Sequence, residues 1–421
     1  MLALVPCTAR AGGLGLDEAL ARTTGESPAV LASESATSAA DAMVDGAEAR
    51  LMPRLDLSET YLRTDNPVGV FAAKLNQGKF TATDFAIPSL NDPKSYNNWI
   101  TRVELNVPII HSGVNWAGRR AAIEGRNAAE HMEDFERASV ALATKKLYYA
   151  AVALAMQRQA VDAGIGKLRT LEGSYQLMEA PTSASTTSYL VAKSVRENLE
   201  ADGVRLDCER TKALRDLNAL MGDDPDADIT LVDPLPAVAG ITPNEVETRP
   251  DVAASEARVR SAEAERTAAL RRWGPNVDFF SAYDVFTGDF QDAKGSYEVG
   301  ARLSWPVFDW GRQADIRATK AMRAQAEYRH RAATLHAKAD LRTAESNVVS
   351  CVKRYRIVEQ AFGSANQALT QAMTRYKEGT LPLMDYSQAI QNWVQMKMNL
   401  IGNRLNVATA HAEYDFQRGG I

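Results

Sequence analysis

Apolar and aromatic residues recur at every seventh position along two long stretches of the chain. In the first they are Val140, Leu147, Leu154, Val161, Leu168 and Tyr175; in the second they are Leu341, Val348, Tyr355, Phe362, Leu369 and Tyr376. Neither stretch contains a proline: none occurs between Pro108 and Pro181, or between Pro306 and Pro382. A sustained period of seven keeps one stripe of a helix against its neighbours and predicts side-by-side coiled-coil packing. Roughly 65 to 70 helical residues at about 1.5 Å each predict elements about 100 Å long, more than a compact globule needs. Both runs end in turn residues, Met178-Glu-Ala-Pro-Thr-Ser-Ala184 and Tyr376-Lys-Glu-Gly-Thr-Leu-Pro382, after which helical patterning resumes. Ala192 lies as far beyond Pro108 as Ala389 lies beyond Pro306, to within one position, so the two hairpin tips are expected at nearly the same depth.

A second period, of two, appears ahead of each long helix. In Arg102-Val-Glu-Leu-Asn-Val107, the residues Val103, Leu105 and Val107 alternate with Arg102, Glu104 and Asn106. In Tyr297–Trp305, the residues Tyr297, Val299, Ala301, Leu303 and Trp305 alternate with Glu298, Gly300, Arg302 and Ser304. Arg54–Ser58 and Asn276–Phe279 open two further strands. Strict alternation predicts a sheet with one apolar and one wet face. An ordinary antiparallel sheet packed on a core fits this equally well by itself. Four strands cannot close, however, and their edges would stay exposed. Three copies supply twelve strands, an even number suited to an outer-membrane barrel with the apolar face toward lipid. Arg102, Glu104, Glu298 and Arg302 would then line a watery lumen. Tyr61, Tyr283, Tyr297 and Trp305 would sit in interfacial aromatic girdles.

The chain also repeats itself. Shifted by 222 positions, Ser27–Tyr61 lies on Arg249–Tyr283 without a gap, and 12 of the 35 pairs are identical. Pro28/Pro250, Glu34/Glu256, Arg50/Arg272, Pro53/Pro275, Asp56/Asp278 and Tyr61/Tyr283 are among them, and alanine richness does not explain these. The match resumes at a shift of 198, where Leu105–Gly113 lies on Leu303–Gly311. The 24-residue difference falls between the two strands, so the first copy has a longer loop within Leu62–Asn98. Each copy reads as helix, strand, loop, strand, long helix, turn, long helix. The expected organisation is a first repeat at 15–221, a linker rich in Asp, Pro and Gly at 222–248, and a second repeat at 249–421.

Composition narrows the function classes. The 48 Lys+Arg against 53 Asp+Glu, a net of −5, argue against nucleic-acid binding, which calls for a basic face. No apolar run approaches 18 residues, so no transmembrane helix is expected, although a barrel strand needs only about 10 alternating residues. Residues 1–14 read as the remnant of an export signal, with a small-x-small site at Ala9-Arg-Ala11. Pro6 before Cys7 makes a poor lipidation site. Cys208 and Cys351 have no paired spacing, so neither a disulfide framework nor a zinc site is expected. The five histidines are scattered. His330 and His336, six apart, do not share a helix face. No nucleophile motif, P-loop or dinucleotide fingerprint occurs, so no catalytic residue, cofactor or metal site is expected.

Taken in order along the chain, these features resemble the TolC-like outer-membrane efflux protein family. Leu16-Asp-Glu-Ala-Leu20, Ser27-Pro28 and an Ala/Glu-rich helix lead to Leu51-Met-Pro-Arg-Leu55 and its counterpart Trp273-Gly-Pro-Asn-Val277. A Leu-x-x-Pro-x-x-x-x-Gly junction occurs twice. Arg375–Ala389 is similar to the family's periplasmic hairpin tip, and the duplication completes the likeness over about residues 15–415. The resemblance implies a mainly α fold with a small β part. Long helices would form a coiled-coil barrel, and four antiparallel strands per subunit would complete a 12-stranded β-barrel in a homotrimer. It implies no catalysis. It implies an outer-membrane channel with a periplasmic helical portion, exporting small molecules or proteins with a periplasmic adaptor and an inner-membrane transporter.

Matched residue by residue, Tyr376 and Asp385 fall on the family's periplasmic constriction, and Gly379 on its turn glycine. Three Asp385 carboxylates near an axis would favour cations; an acid at this position would equally suit the start of a helix. Gly379, Thr380, Leu381 and Pro382, with Ala180, Pro181 and Thr182 of the first copy, are the expected adaptor-contact tips, Leu381 being exposed. Leu381 stands where some members carry Arg, Gln388 where some carry an acid, and Pro181 in the glycine position. These departures argue against a closed state held by charged links. The alternative reading is a periplasmic coiled-coil adaptor or scaffold without a channel.

Overall fold

The computed structural model describes residues 13–176, 183–241, 248–289 and 292–419; the side chains of 174–176 and 183–185 are also outside the description. Residues 1–12, on which most of the expected export-signal remnant falls, lie outside the described residues. In order, the elements are α1 (Leu16–Glu26), α2 (Pro28–Ala49), β1 (Arg54–Thr64), α3 (Pro67–Asn76), a 3-10 turn (Ala82–Phe85), α4 (Ile87–Asn91), β2 (Tyr96–His111) and α5 (Val114–Gln176). Then follow α6 (Ser183–Met221), α7 (Pro250–Arg271), β3 (Asn276–Thr287), β4 (Lys294–Ser304), α8 (Trp310–Lys377) and α9 (Leu383–Gln417). Helices α5 and α8 have 63 and 68 residues, about 95 and 100 Å at 1.5 Å per residue. The chain divides into two compact units, one of Met1–Thr37, Ala129–Ala254 and Arg331–Ile421, the other of Ser38–Ala128 and Ser255–His330. Both units draw on residues before and after the linker region.

The second unit holds the sheet, whose strand order β1-β2-β3-β4 is antiparallel throughout. Below it the helical segments stand side by side, joined by ion pairs. Arg119 and Arg126 of α5 reach Glu48 and Asp41 of α2 at 2.7 and 2.8 Å. Arg260 of α7 reaches Glu124 of α5 at 2.7 Å, and Arg323 of α8 pairs with Glu263 of α7. The lateral order is therefore α2, α5, α7, α8. Where β2 enters α5, the pairing slips between Pro108 and Ile110. Ser112 (φ 50°) and Gly113 (φ 74°) then turn the chain, and the Ser112 hydroxyl donates to Pro275 O at 2.5 Å. The positive φ at position 113 is what calls for glycine there; the nearest neighbour of an added methyl would be the flexible end of Arg271, which can move aside.

In the first unit the stripes of seven face inward. Val140, Val161, Leu168, Val348 and Leu369 are buried, and Leu147, Leu154, Leu341, Tyr355, Phe362 and Tyr376 are half-buried. The largest apolar cluster joins Val161, Ile165 and Leu168 of α5, Val195 and Leu199 of α6, Leu369 of α8, and Ile390, Trp393 and Val394 of α9. Gly164 sits where α5 approaches α9 and α6; a methyl group there would lie 2.4 Å from Val394 and 3.2 Å from Leu199.

Part of the region that composition marks as a linker is packed. Leu235 is only 2 % exposed, and Arg404 donates to Leu235 O and Pro236 O at 2.6 and 3.1 Å. The buried Tyr148 hydroxyl donates to Leu14 O and accepts from Asp233 N–H. Residues 222–241 therefore form a belt across the helices. Asp, Pro and Gly suit a chain without regular structure, and they do not prevent it from being bound on one side.

Candidate functional site

Register decides which side chains share a face of the sheet. Leu57, Val103, Tyr283 and Tyr297 stand opposite one another across all four strands, as do Leu55 with Leu105 and Val277 with Leu303. This face is open: Leu57 is 74 % exposed, Tyr297 79 % and Leu303 66 %. Tyr61 packs against Trp99 at one end of it, while Trp305, Phe308 and Trp310 are exposed next to its other end. Glu59 shares this face and accepts a 2.5 Å hydrogen bond from Thr101 on the neighbouring strand.

The other face is polar and cross-linked. Arg102 is a hub, 3.2 Å from Glu104 and 3.7 Å from Asp284, and also paired with Glu298. Three of the four expected lumenal residues thus meet in one cluster. The fourth, Arg302, lies on the same face with its guanidinium over the Phe280 ring at 5.3 Å. Asp284 was missing from the sequence reading because only the register places it opposite Arg102. At the helical end, His111 Nε2 lies 2.7 Å from Asp278.

The long first-copy loop is folded. Asn66 caps α3 by accepting from Gly69 N–H, with Pro67 in the first turn. Gly78 (φ 65°) ends it, its N–H donating to Leu75 O and the Lys79 N–H to Lys74 O. Thr81 and Asp84 form a capping box. Lys74 binds Asp84 at 2.7 Å. That bond, with those from Thr81, holds the Asp84 carboxyl down at about 2. The pair therefore stays charged through any mildly acidic medium and loosens only as pH falls below the ordinary carboxylate range toward 2.

At the tip, Gly379 (φ 73°) ends α8. Its N–H donates to Tyr376 O at 3.0 Å, and the Thr380 N–H donates to Arg375 O at 2.9 Å. This is the double bond pattern of a glycine-terminated helix. Pro382 then precedes α9 in extended conformation. Tyr376 stacks on Tyr386, ring centroids 5.2 Å apart. Asp385 lies in the first turn of α9, exposed, and makes no hydrogen bond or ion pair among the described residues. Leu381 corrects the sequence reading: it is half-buried and packs against the apolar cluster, because the tight turn folds it back onto the helices. Ala180, Pro181 and Thr182 lie outside the described residues.

The sequence profile described as outer membrane efflux protein matches residues 18–223 and 243–414, most of the chain. The chain belongs to the outer membrane efflux protein family. Outer membrane protein OprJ of Pseudomonas aeruginosa is 27 % identical to it over 233 residues, which are 49 % of this chain and 47 % of that protein. The chain thus aligns with about half the length of that relative. The crystal structure of the Campylobacter jejuni CmeC outer membrane channel superposes with a TM-score of 0.81 over 96 % of this chain and 85 % of the other, at 16 % identity. The open state of the Neisseria gonorrhoeae MtrE outer membrane channel gives 0.80 over 96 % and 89 %, at 15 %. These likenesses are of fold. Family membership places the chain in the outer membrane. No helix among the described residues is long and apolar enough to cross a membrane.

Proposed function

We propose that three copies of this chain form one channel, with twelve strands closing a barrel in the outer membrane and the long helices forming a tube below it. The observation that carries this is the sheet itself. Its apolar face is open, its opposite face holds charged groups, and neither β1 nor β4 has an outer neighbour among the described strands. Unpaired backbone at a sheet edge cannot stand in lipid, so each β1 needs the β4 of another copy. The two halves of the chain act as near-equivalent staves of the tube. The channel exports small molecules or proteins, driven by an inner-membrane transporter through a periplasmic adaptor that meets the tips around Gly379–Pro382 and Ala180–Thr182.

Purified protein in planar bilayers tests this. Discrete conductance steps from a cross-linkable trimer support the reading; a detergent-free soluble monomer without conductance overturns it. Asp385 is the proposed selectivity ring, with Tyr376 beside it. Asp385→Asn is expected to lower the cation-over-anion permeability ratio about threefold, read from the reversal potential in a salt gradient. An unchanged potential would remove Asp385 from the constriction.

A further inference from the structure

We propose that residues 66–92 are a lid seated on the lumenal side of the outer mouth, filtering by size what passes the barrel. The proposal rests on the channel reading above and adds a second, outer constriction to it. The argument is one of faces. Tyr96, Asn98, Phe286 and Lys294 share the polar face with Arg102, by register across β2, β3 and β4. The loop is fastened to those same residues. Gln77, 1 % exposed, donates to Asn98 Oδ1 and Asn97 O, both at 2.9 Å, and accepts from the Tyr96 hydroxyl at 2.9 Å. Gly78 lies against the Lys294 side chain, where a methyl group would come within 3.1 Å.

Burial agrees with this. Phe286 and Asn98 are covered on the polar face, and Val70 and Ala73 of α3 are buried with them, whereas Tyr283 and Tyr297 on the other face stay exposed. An outer loop packed against lipid-facing residues would show the reverse. The lid is also closed upon itself. Lys74 joins Asp84 and lies over the Tyr96 ring, the Phe71, Phe80 and Phe85 rings stack edge to face, and Lys79 reaches Asp289 at 3.4 Å. A loop tied this way holds its position across the mouth. In the second copy, β3 and β4 are joined through residues 288–293 alone, so one of the two hairpins in each subunit carries a lid.

The chain supplies its own control. Residues 65–95 are replaced by the 288–293 connection, in a background where Cys7, Cys208 and Cys351 are serine and Ser58→Cys is introduced. Ser58 stands opposite Arg102 on the polar face. Intact cells are treated from outside with a small charged methanethiosulfonate or a bulky polyethylene-glycol maleimide. The small reagent is expected to label position 58 with or without the lid, and the bulky one to label it about tenfold faster without it. Equal rates for the bulky reagent overturn the lid. No labelling by the small reagent in either protein means that position 58 does not face water, and the channel reading falls with it. Lys74→Met with Gln77→Leu keeps the chain length and serves if the replacement fails to assemble. An intermediate gain in bulky labelling supports the lid, and an unchanged rate overturns it.

Discussion

Val103→Arg is expected to leave the protein unassembled and absent from the outer membrane. Val103 lies near the centre of the open apolar face, opposite Leu57 on one side and Tyr283 on the other. An arginine facing lipid near the bilayer midplane costs about 2–4 kcal/mol, and the proposed trimer would incur that cost three times. One position along, the same strand tolerates charge: Arg102 and Glu104 are already there. Ser58→Arg, on the polar face, is the matched control and is expected to assemble. The measurement is the amount of detergent-extractable trimer in isolated outer membranes. Equal amounts from both variants would mean that the apolar face does not meet lipid.

Trp393→Ala is expected to loosen the helical hairpins near the tip. Trp393 is 8 % exposed and packs in the largest apolar cluster, beside Phe362. Its indole N–H donates to Asn366 Oδ1 at 3.0 Å, and the ammonium groups of Lys167 and Lys397 lie 5.7 and 5.0 Å from the ring. Truncating a buried tryptophan costs about 3–5 kcal/mol, and here it also removes the partner of Asn366. Amide exchange in α9 around Ile390–Met398 should accelerate by more than about a hundredfold, since each 1.4 kcal/mol is about a factor of ten. Exchange in the strands should not change. Unaltered exchange in α9 would show that the cluster does not support the tip.

Much of the tip and the strands could be read from local patterns. The sevenfold stripes named the inward faces of α5 and α8, and the twofold alternation named both faces of β2 and β4. Gly379 was legible because a helix ending in a left-handed turn favours glycine. Leu381 was not. Exposure at a turn depends on where the turn folds its side chains, and this one directs Leu381 back onto the cluster. The folded segment between β1 and β2 was legible only as extra length, although its stop signals, Asn66-Pro67 and Gly78, stand in the sequence. A 3-10 turn and two helices of 10 and 5 residues are too short to carry a period.

What the sequence determined by itself was periodicity, and hence which elements form and which side of each is apolar. That information lies within a few turns or residues of chain. The tertiary structure alone decided what lies opposite what. It brought Asp284 to Arg102, 182 positions away in sequence, and drew 222–241 around Tyr148 and Arg404. It seated Gln77 on Asn98. Those pairings depend on strand register and on side-chain reach across elements, which no local pattern encodes.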